Sequence, residues 1–176
     1  MKSKLLTLVV LVAVAAAASC SWAATTASQS FTVTVPTNLS ITAPAAASLT
    51  HDMTNSNQAF PAQAWVVTGN TKNGVNVTLV AGSPFTNTAD SAAVRDVQLG
   101  LSMGNSVGSG AWTVTTASDS TNYANASPKL TATVAASSNG VGSGTLNLTV
   151  TFVTNNIATV EAGSYTTTVT GTVASN

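Results

Sequence analysis

Charge is scarce in this chain, and its scarcity excludes several classes of function. Of the 176 residues, five are Lys or Arg and five are Asp or Glu, so that only 6% are charged. From residue 24 onward, three basic residues stand against five acidic ones, a net charge of −2. The chain has no basic patch of the kind that binds nucleic acid, and we expect no nucleic-acid partner. Disorder of the whole chain is excluded as well, because 44% of the residues are hydrophobic and they alternate regularly.

Residues suited to catalysis or metal binding are equally few. The chain has one cysteine, Cys20, and one histidine, His51, a set too small to hold zinc. His51 adjoins Asp52, but no Gly-x-Ser-x-Gly motif accompanies them, and we interpret His51 as a solvated loop histidine. The segment Asp119–Asn122 lacks the acidic density of a calcium loop and indicates a turn. We expect a protein that is not an enzyme and that uses no metal or cofactor.

The N-terminal residues have the order of a secretory signal peptide. Two lysines precede the apolar run Leu5–Ala18, and Ser21–Ala23 is a small-x-small cleavage site. We predict removal of residues 1–23, no membrane span in the mature chain, and secretion. A lipid anchor on Cys20 is the weaker alternative, because the preceding residues lack the leucine that is usual three positions earlier.

Apolar and hydroxylated residues alternate along the remainder of the chain, most clearly in its last segment. There Tyr165, Thr167, Val169, Gly171 and Val173 share one face of a strand, and threonines occupy the other. Further strand candidates, separated by Gly- and Asn-rich turns, are Ser30–Val35, Asn38–Thr42, Gln63–Thr68, Val75–Ala81, Val94–Met103, Ala111–Thr116, Lys129–Ala135, Thr145–Val153 and Ser164–Ala174. With no helical pattern between them, residues 24–176 are predicted to form one all-β domain. We expect an Ig-like antiparallel β-sandwich of about 8–10 strands, with a barrel as the alternative.

The tryptophans allow two interpretations. Trp65 and Trp112 lie inside strand patterns, which favours a place in the core. If they were exposed, they and Tyr123, from the long polar segment 117–128, could stack on sugar rings in a secreted, non-catalytic binding module. The residues expected in the core are Val33, Trp65, Val77, Leu79, Leu99, Leu101, Trp112, Val134, Leu148, Val150, Val169 and Val173.

The two ends of the predicted domain carry a resemblance to a known family. The residues concerned are Phe31, Val33 and Val35 at the start, and Ala162, Gly163, Tyr165, Val169 and Val173 at the end. With the signal sequence and the Thr-rich composition, this pattern resembles bacterial fimbrial (pilus) major subunits. The most similar types are colonisation-factor fimbriae and, more loosely, spore-coat-U-like pilins.

The resemblance implies a structural subunit of a fibre on the bacterial surface, exported through the periplasm, with an export chaperone as a possible partner. Subunits of this kind self-associate by β-strand complementation, in which an N-terminal strand completes the sheet of a neighbour. The donor here would be Ser30–Val35, and Phe31, Val33 and Val35 would be its inserted side chains. The alternative left open is that Ser30–Val35 forms the first strand of its own complete sandwich.

Overall fold

A computed structural model describes residues 24–176, and the predicted signal peptide with Cys20 lies outside them. Residues 24–34 belong to a different unit from Val35–Asn176. All the strands of the described residues lie in Val35–Asn176, the second unit, which confirms the all-β prediction. Among the described residues the only helix is a 3₁₀ turn at Ile157–Thr159. No helix in this part of the chain is long and apolar enough to cross a membrane.

Thirteen strands, several of them very short, make up the second unit. In chain order they are β1 (Leu39–Thr42), β2 (Gln58–Ala59), β3 (Gln63–Gly69), β4 (Val75–Ala81), β5 (Phe85–Asn87), β6 (Val94–Arg95), β7 (Val97–Gly108), β8 (Trp112–Thr116), β9 (Ser118–Ser120), β10 (Ala132–Ser138), β11 (Gly142–Phe152), β12 (Tyr165–Thr166) and β13 (Val169–Ser175).

The strands form three antiparallel sheets, consistent with a β-sandwich. The first sheet has the order β1-β3-β11-β7-β9, with β2 also paired to β11, and the second has the order β13-β4-β10-β8. A small third sheet, β12-β5-β6, completes the unit. The long strand β11 organises the first sheet, because β3 pairs with one of its edges and β7 with the other.

Alternation along the strands creates the core. In β4 every second residue is buried, from Val75 through Val77 and Leu79 to Ala81, and β11 contributes Leu146 and Leu148 in the same way. Each buried Val or Leu side chain stabilises the fold by about 1.5–3 kcal/mol relative to its exposed state. The inward-facing rows of the two large sheets therefore supply most of the stability of a chain whose described part contains no cysteine.

The prediction of a strand at Ser30–Val35 is wrong for the isolated chain, because residues 24–38 contain no helix or strand. Val33 is accordingly 87% exposed and does not belong to the core. The other predicted core residues are buried or packed against the buried cluster.

Two predicted strands are each divided in two. One is interrupted at Asp96, whose side chain accepts hydrogen bonds from Thr121 and Tyr123, and the other at 167–168.

Candidate strand-binding groove

One edge of the first sheet is only partly covered. Strand β1 pairs with residues 66–69 of β3 and ends at Thr42, so it does not reach Gln63–Trp65. Pro44 follows two residues later, and proline cannot donate the hydrogen bond that would extend the ladder. The inner edge of the same β3 residues pairs with β11. The outer backbone edge at Gln63–Trp65 therefore has no partner strand among the described residues.

The second sheet offers an edge close to this gap. Strand β13 pairs with β4 along its length and has no strand on its other side within residues 24–176. It is also a neighbour of β1 across the sandwich. Exposed edge strands carry free N–H and C=O groups that can pair with another chain. Two such edges thus face one seam between the sheets.

The seam opens into a groove of about 570 Å³ near the start of β13. Most of the residues around it are apolar or hydroxylated, and none is charged. They are Ala43–Ala47, Phe60, Gln63, Trp65, Phe85, Leu148, Val150 and Tyr165–Val169. We call this feature the edge groove. Its volume is within the range of established binding pockets.

Aromatic rings form the deeper part of the edge groove. Phe60 stacks on Phe85 with ring centroids 6.2 Å apart. Phe152 then lies 5.3 Å from both Phe85 and Tyr165. Phe85 and Phe152 are buried, whereas Phe60 and Tyr165 are only partly covered. The groove therefore presents the open side of a rigid aromatic cluster to an incoming apolar side chain.

Trp65 lies between the sheets at the wall of the edge groove and is 7% exposed. Its Nε1 atom is buried and has no hydrogen-bond acceptor within the described chain. Gly171 provides the space for its ring, because a Cβ atom at position 171 would lie 2.6 Å from Trp65 Cζ3. The sequence placed Gly171 on the inner face of the last strand but gave no sign that a tryptophan required it.

Among residues 24–176, the residues predicted to act as a donor are the most exposed large apolar side chains. Phe31 is 84% exposed, Val33 87% and Val35 75%. They alternate with threonine in a segment that pairs with no strand among residues 24–176. We call residues 24–35 the leading segment. A row of large apolar side chains in water is unfavourable and usually marks an interaction site.

Asn70 fixes the point where the leading segment joins the sandwich. Its Oδ1 accepts the backbone N–H of Asn38 at 2.7 Å, and its Nδ2 donates to the Pro36 carbonyl at 2.8 Å. Asn70 also donates its own backbone N–H to the Asn38 carbonyl. This junction lies where β1 begins, whereas the edge groove lies beyond Thr42, where β1 ends.

The other candidate ligand aromatics have surroundings of their own. The half-buried Trp112 packs its indole against Gly144, where an added Cβ would lie 2.7 Å from the ring. Tyr123 accepts a hydrogen bond through its hydroxyl from the buried Arg95. Trp65, Trp112 and Tyr123 are thus each engaged separately, and the structure does not bring them together as one stacking platform.

The interpretation of His51 as a solvated loop histidine is wrong. Its side chain is 19% exposed and its ring meets Phe152 edge-on at 5.7 Å. Nε2 lies 2.9 Å from Oγ1 of Thr154, which is fully buried and donates to the Ser56 carbonyl. His51 therefore fastens the long segment 43–62 to the end of β11. Asp52 lies beside it, and no serine side chain within residues 24–176 hydrogen-bonds to either residue.

The segment Asp119–Asn122 is also more ordered than a turn, because Asp119 and Ser120 belong to β9. Burial acts to raise the pKa of Asp119, but hydrogen bonds from Lys129 and from the backbone N–H groups of Thr133 and Ser120 lower it overall. Within residues 24–176 no group of three His, Cys, Asp or Glu side chains could hold a metal ion.

No protein-family model, curated protein or solved structure matches this chain.

Proposed function

We propose that this protein is the structural subunit of an extracellular surface fibre, a fimbria or pilus, assembled by β-strand complementation. The observation that carries the proposal is the pairing of two incomplete features in one chain. The leading segment has an alternating row of exposed apolar side chains, and the sandwich has an uncharged groove bordered by unpaired strand edges. The groove offers an apolar surface to the exposed side chains of the segment, and the segment offers a strand to the unpaired edges of the groove.

In the proposed contact, the leading segment of one copy lies in the edge groove of the next. Its backbone pairs with the free edge at Gln63–Trp65, and Phe31, Val33 and Val35 enter the seam between the sheets. Burying three such side chains contributes about 5–9 kcal/mol to the free energy of association, before the entropy lost on binding is subtracted. The loss of freedom on association removes a large part of that gain. Backbone pairing along the segment is therefore needed for a stable fibre.

The position of the two features favours a fibre over a closed dimer. The leading segment joins the sandwich where β1 begins, and the edge groove lies past the opposite end of that strand. A contact between different surfaces of two copies leaves one donor and one groove free at the ends. Repetition of such a contact builds an open filament unless the rotation closes it into a ring.

The surface chemistry supports an assembled, extracellular role. The six strands of seven or more residues contain no charged residue. Four threonines in and between the last two strands, at positions 166, 168, 170 and 172, are exposed. A surface with so few charges opposes contact between copies only weakly, and the exposed hydroxyl groups hydrogen-bond to water.

The proposal is tested with a chain that cannot donate its own segment. We define the donor-blocked chain as residues 24–176 carrying Phe31→Asp and Val33→Asp. A peptide with the sequence of residues 24–35 should bind this chain and raise its melting temperature. A peptide carrying Val33→Asp should not bind, because its charge would enter an apolar groove.

The matched control uses the other face of the same peptide. Thr32→Asp and Thr34→Asp place two charges on positions that alternate with the inserted side chains, so that this peptide should still bind. Equal binding of all three peptides would contradict insertion by alternating side chains. The absence of any peptide binding would contradict the strand-complementation mechanism.

The second candidate function, a secreted binding module, has one structural feature in its favour. An open cavity of about 380 Å³ is lined almost entirely by polar side chains, among them Asn57, Asp96, Asn122 and Asn155. Such a set could bind a neutral, hydroxyl-rich ligand such as a saccharide through hydrogen bonds. The two functions are distinguished by solution size, since a binding module should be monomeric at all concentrations.

A further inference from the structure

A second unusual segment borders the edge groove. Residues 43–50 follow β1 directly, and we call them the strap. Its first five residues, Ala43–Ala47, all line the groove. The strap leaves β1 just after Thr42, which pairs with Val66. It is therefore the next stretch of chain along the open edge of β3, at the place where an added strand would pair.

The strap is weakly held. No hydrogen bond among the described residues, from backbone or side chain, involves residues 43–50. Four consecutive positions, Ala45–Ser48, are exposed, and the alanines have little side chain with which to pack. Segments with few buried contacts and no backbone pairing open at low free-energy cost. The strap can thus change position without disturbing the sandwich.

Both ends of the strap, by contrast, are fixed. Thr42 belongs to the β1–β3 ladder. At the other end, His51 contacts the buried Thr154 through Nε2 and accepts the Met53 backbone N–H through Nδ1. Because the Thr154 hydroxyl donates to Ser56, the His51 nitrogen is the donor to it. These contacts use both nitrogens of the ring.

We propose that the strap is a displaceable cover of the edge groove. In the single subunit it lies along the open β3 edge and shields the aromatic cluster. When the leading segment of another copy binds, the strap moves aside between its anchors at Thr42 and His51, and the incoming strand takes its place. The inference rests on the proposed function, because it describes how the same groove is kept accessible yet partly covered before assembly.

The test fixes the strap to the edge that it covers. The described chain has no cysteine, so Ala46→Cys and Gln63→Cys can be added to the donor-blocked chain and joined by a short bis-maleimide. Both positions line the groove. Binding of the residue 24–35 peptide is then measured by calorimetry before and after the reaction. We expect at least a tenfold loss of affinity in the cross-linked form.

Two single-cysteine chains control for the reagent. Ala46→Cys alone and Gln63→Cys alone, each capped with the same reagent, measure the loss of affinity that the substitution and the reagent cause by themselves, and we expect the cross-linked chain to bind at least tenfold more weakly than either. Undiminished binding by the cross-linked chain would overturn the strap proposal and leave the proposed function intact. If the capped Gln63→Cys chain lost as much affinity as the cross-linked one, the reagent alone would explain the loss and the strap proposal would also fall. Absence of peptide binding to the unreacted chain would overturn both proposals.

Discussion

Gly171 shows how a single missing side chain shapes the edge groove. An added Cβ would lie 2.6 Å from Trp65, 2.7 Å from Ile41 and 3.0 Å from Leu79. All three neighbours are core or core-packed side chains, and none is a flexible end in solvent. Glycine in a strand normally costs stability relative to alanine. At position 171 the clash that an added Cβ would cause outweighs the stability that glycine loses relative to alanine.

We therefore predict that Gly171→Ala destabilises the sandwich by about 1–3 kcal/mol, the usual cost of overpacking a core. Gly100→Ala is the matched control, because its Cβ would lie 3.8 Å from Thr149, an ordinary contact distance. It should leave stability unchanged or raise it by about 0.5–1 kcal/mol. Urea unfolding midpoints of the two variants measure the difference. Equal midpoints would show that Trp65 can move away from position 171 at little cost.

At the scale of the elements, alternation in the sequence located the long strands well. Positions in β4 and β10 that were predicted to face inward are buried, because both sheets cover a common core and the period of two is maintained. In β11 Leu148 is buried, whereas Val150 is partly buried and packs against the core. The short strands β2, β5 and β9 were missed. Two or three residues are too few to show a period of two. Strands β2 and β9 pair with the longer strands β11 and β7, and β5 pairs with the equally short β12 and β6.

The leading segment shows what alternation in a sequence cannot predict. Phe31, Val33 and Val35 alternate as regularly as any core strand, yet they are exposed in the isolated chain. Alternation shows that one face of a segment requires an apolar partner, but it does not say which chain supplies that partner. The edge groove was not predictable either. It brings together Pro44, Trp65 and Leu148, whose separation in sequence hides their proximity.

The attachment of segment 43–62 to β11 gives a prediction at the same scale. Thr154→Val keeps the shape of the side chain but removes the hydroxyl that connects His51 and the Ser56 carbonyl. Leaving buried polar partners unpaired costs about 1–3 kcal/mol. Thr149→Val, on a partly exposed position of β11, should change stability by less than about 0.5 kcal/mol. Thermal unfolding of both variants tests the contact, and equal effects would show that the His51 attachment is not structural.

For the whole molecule, the free energy of exposed apolar surface determines whether copies of the chain associate. A single copy leaves three large apolar side chains of the leading segment in water and an uncharged groove open beside two unpaired edges. With few charges to oppose contact between copies, association is the direct way to remove this surface from water. We therefore predict that the mature chain is not monomeric at equilibrium.

The most direct measurement is the size distribution of residues 24–176 by sedimentation velocity and negative-stain microscopy. We expect a ladder of multiples or filaments for the unmodified chain and monomers for the chain carrying Phe31→Asp and Val33→Asp. Thr32→Asp with Thr34→Asp should still assemble. A stable monomer of the unmodified chain, with amide exchange at residues 31–35 as slow as in β4, would contradict the account, because those residues would then complete their own sheet.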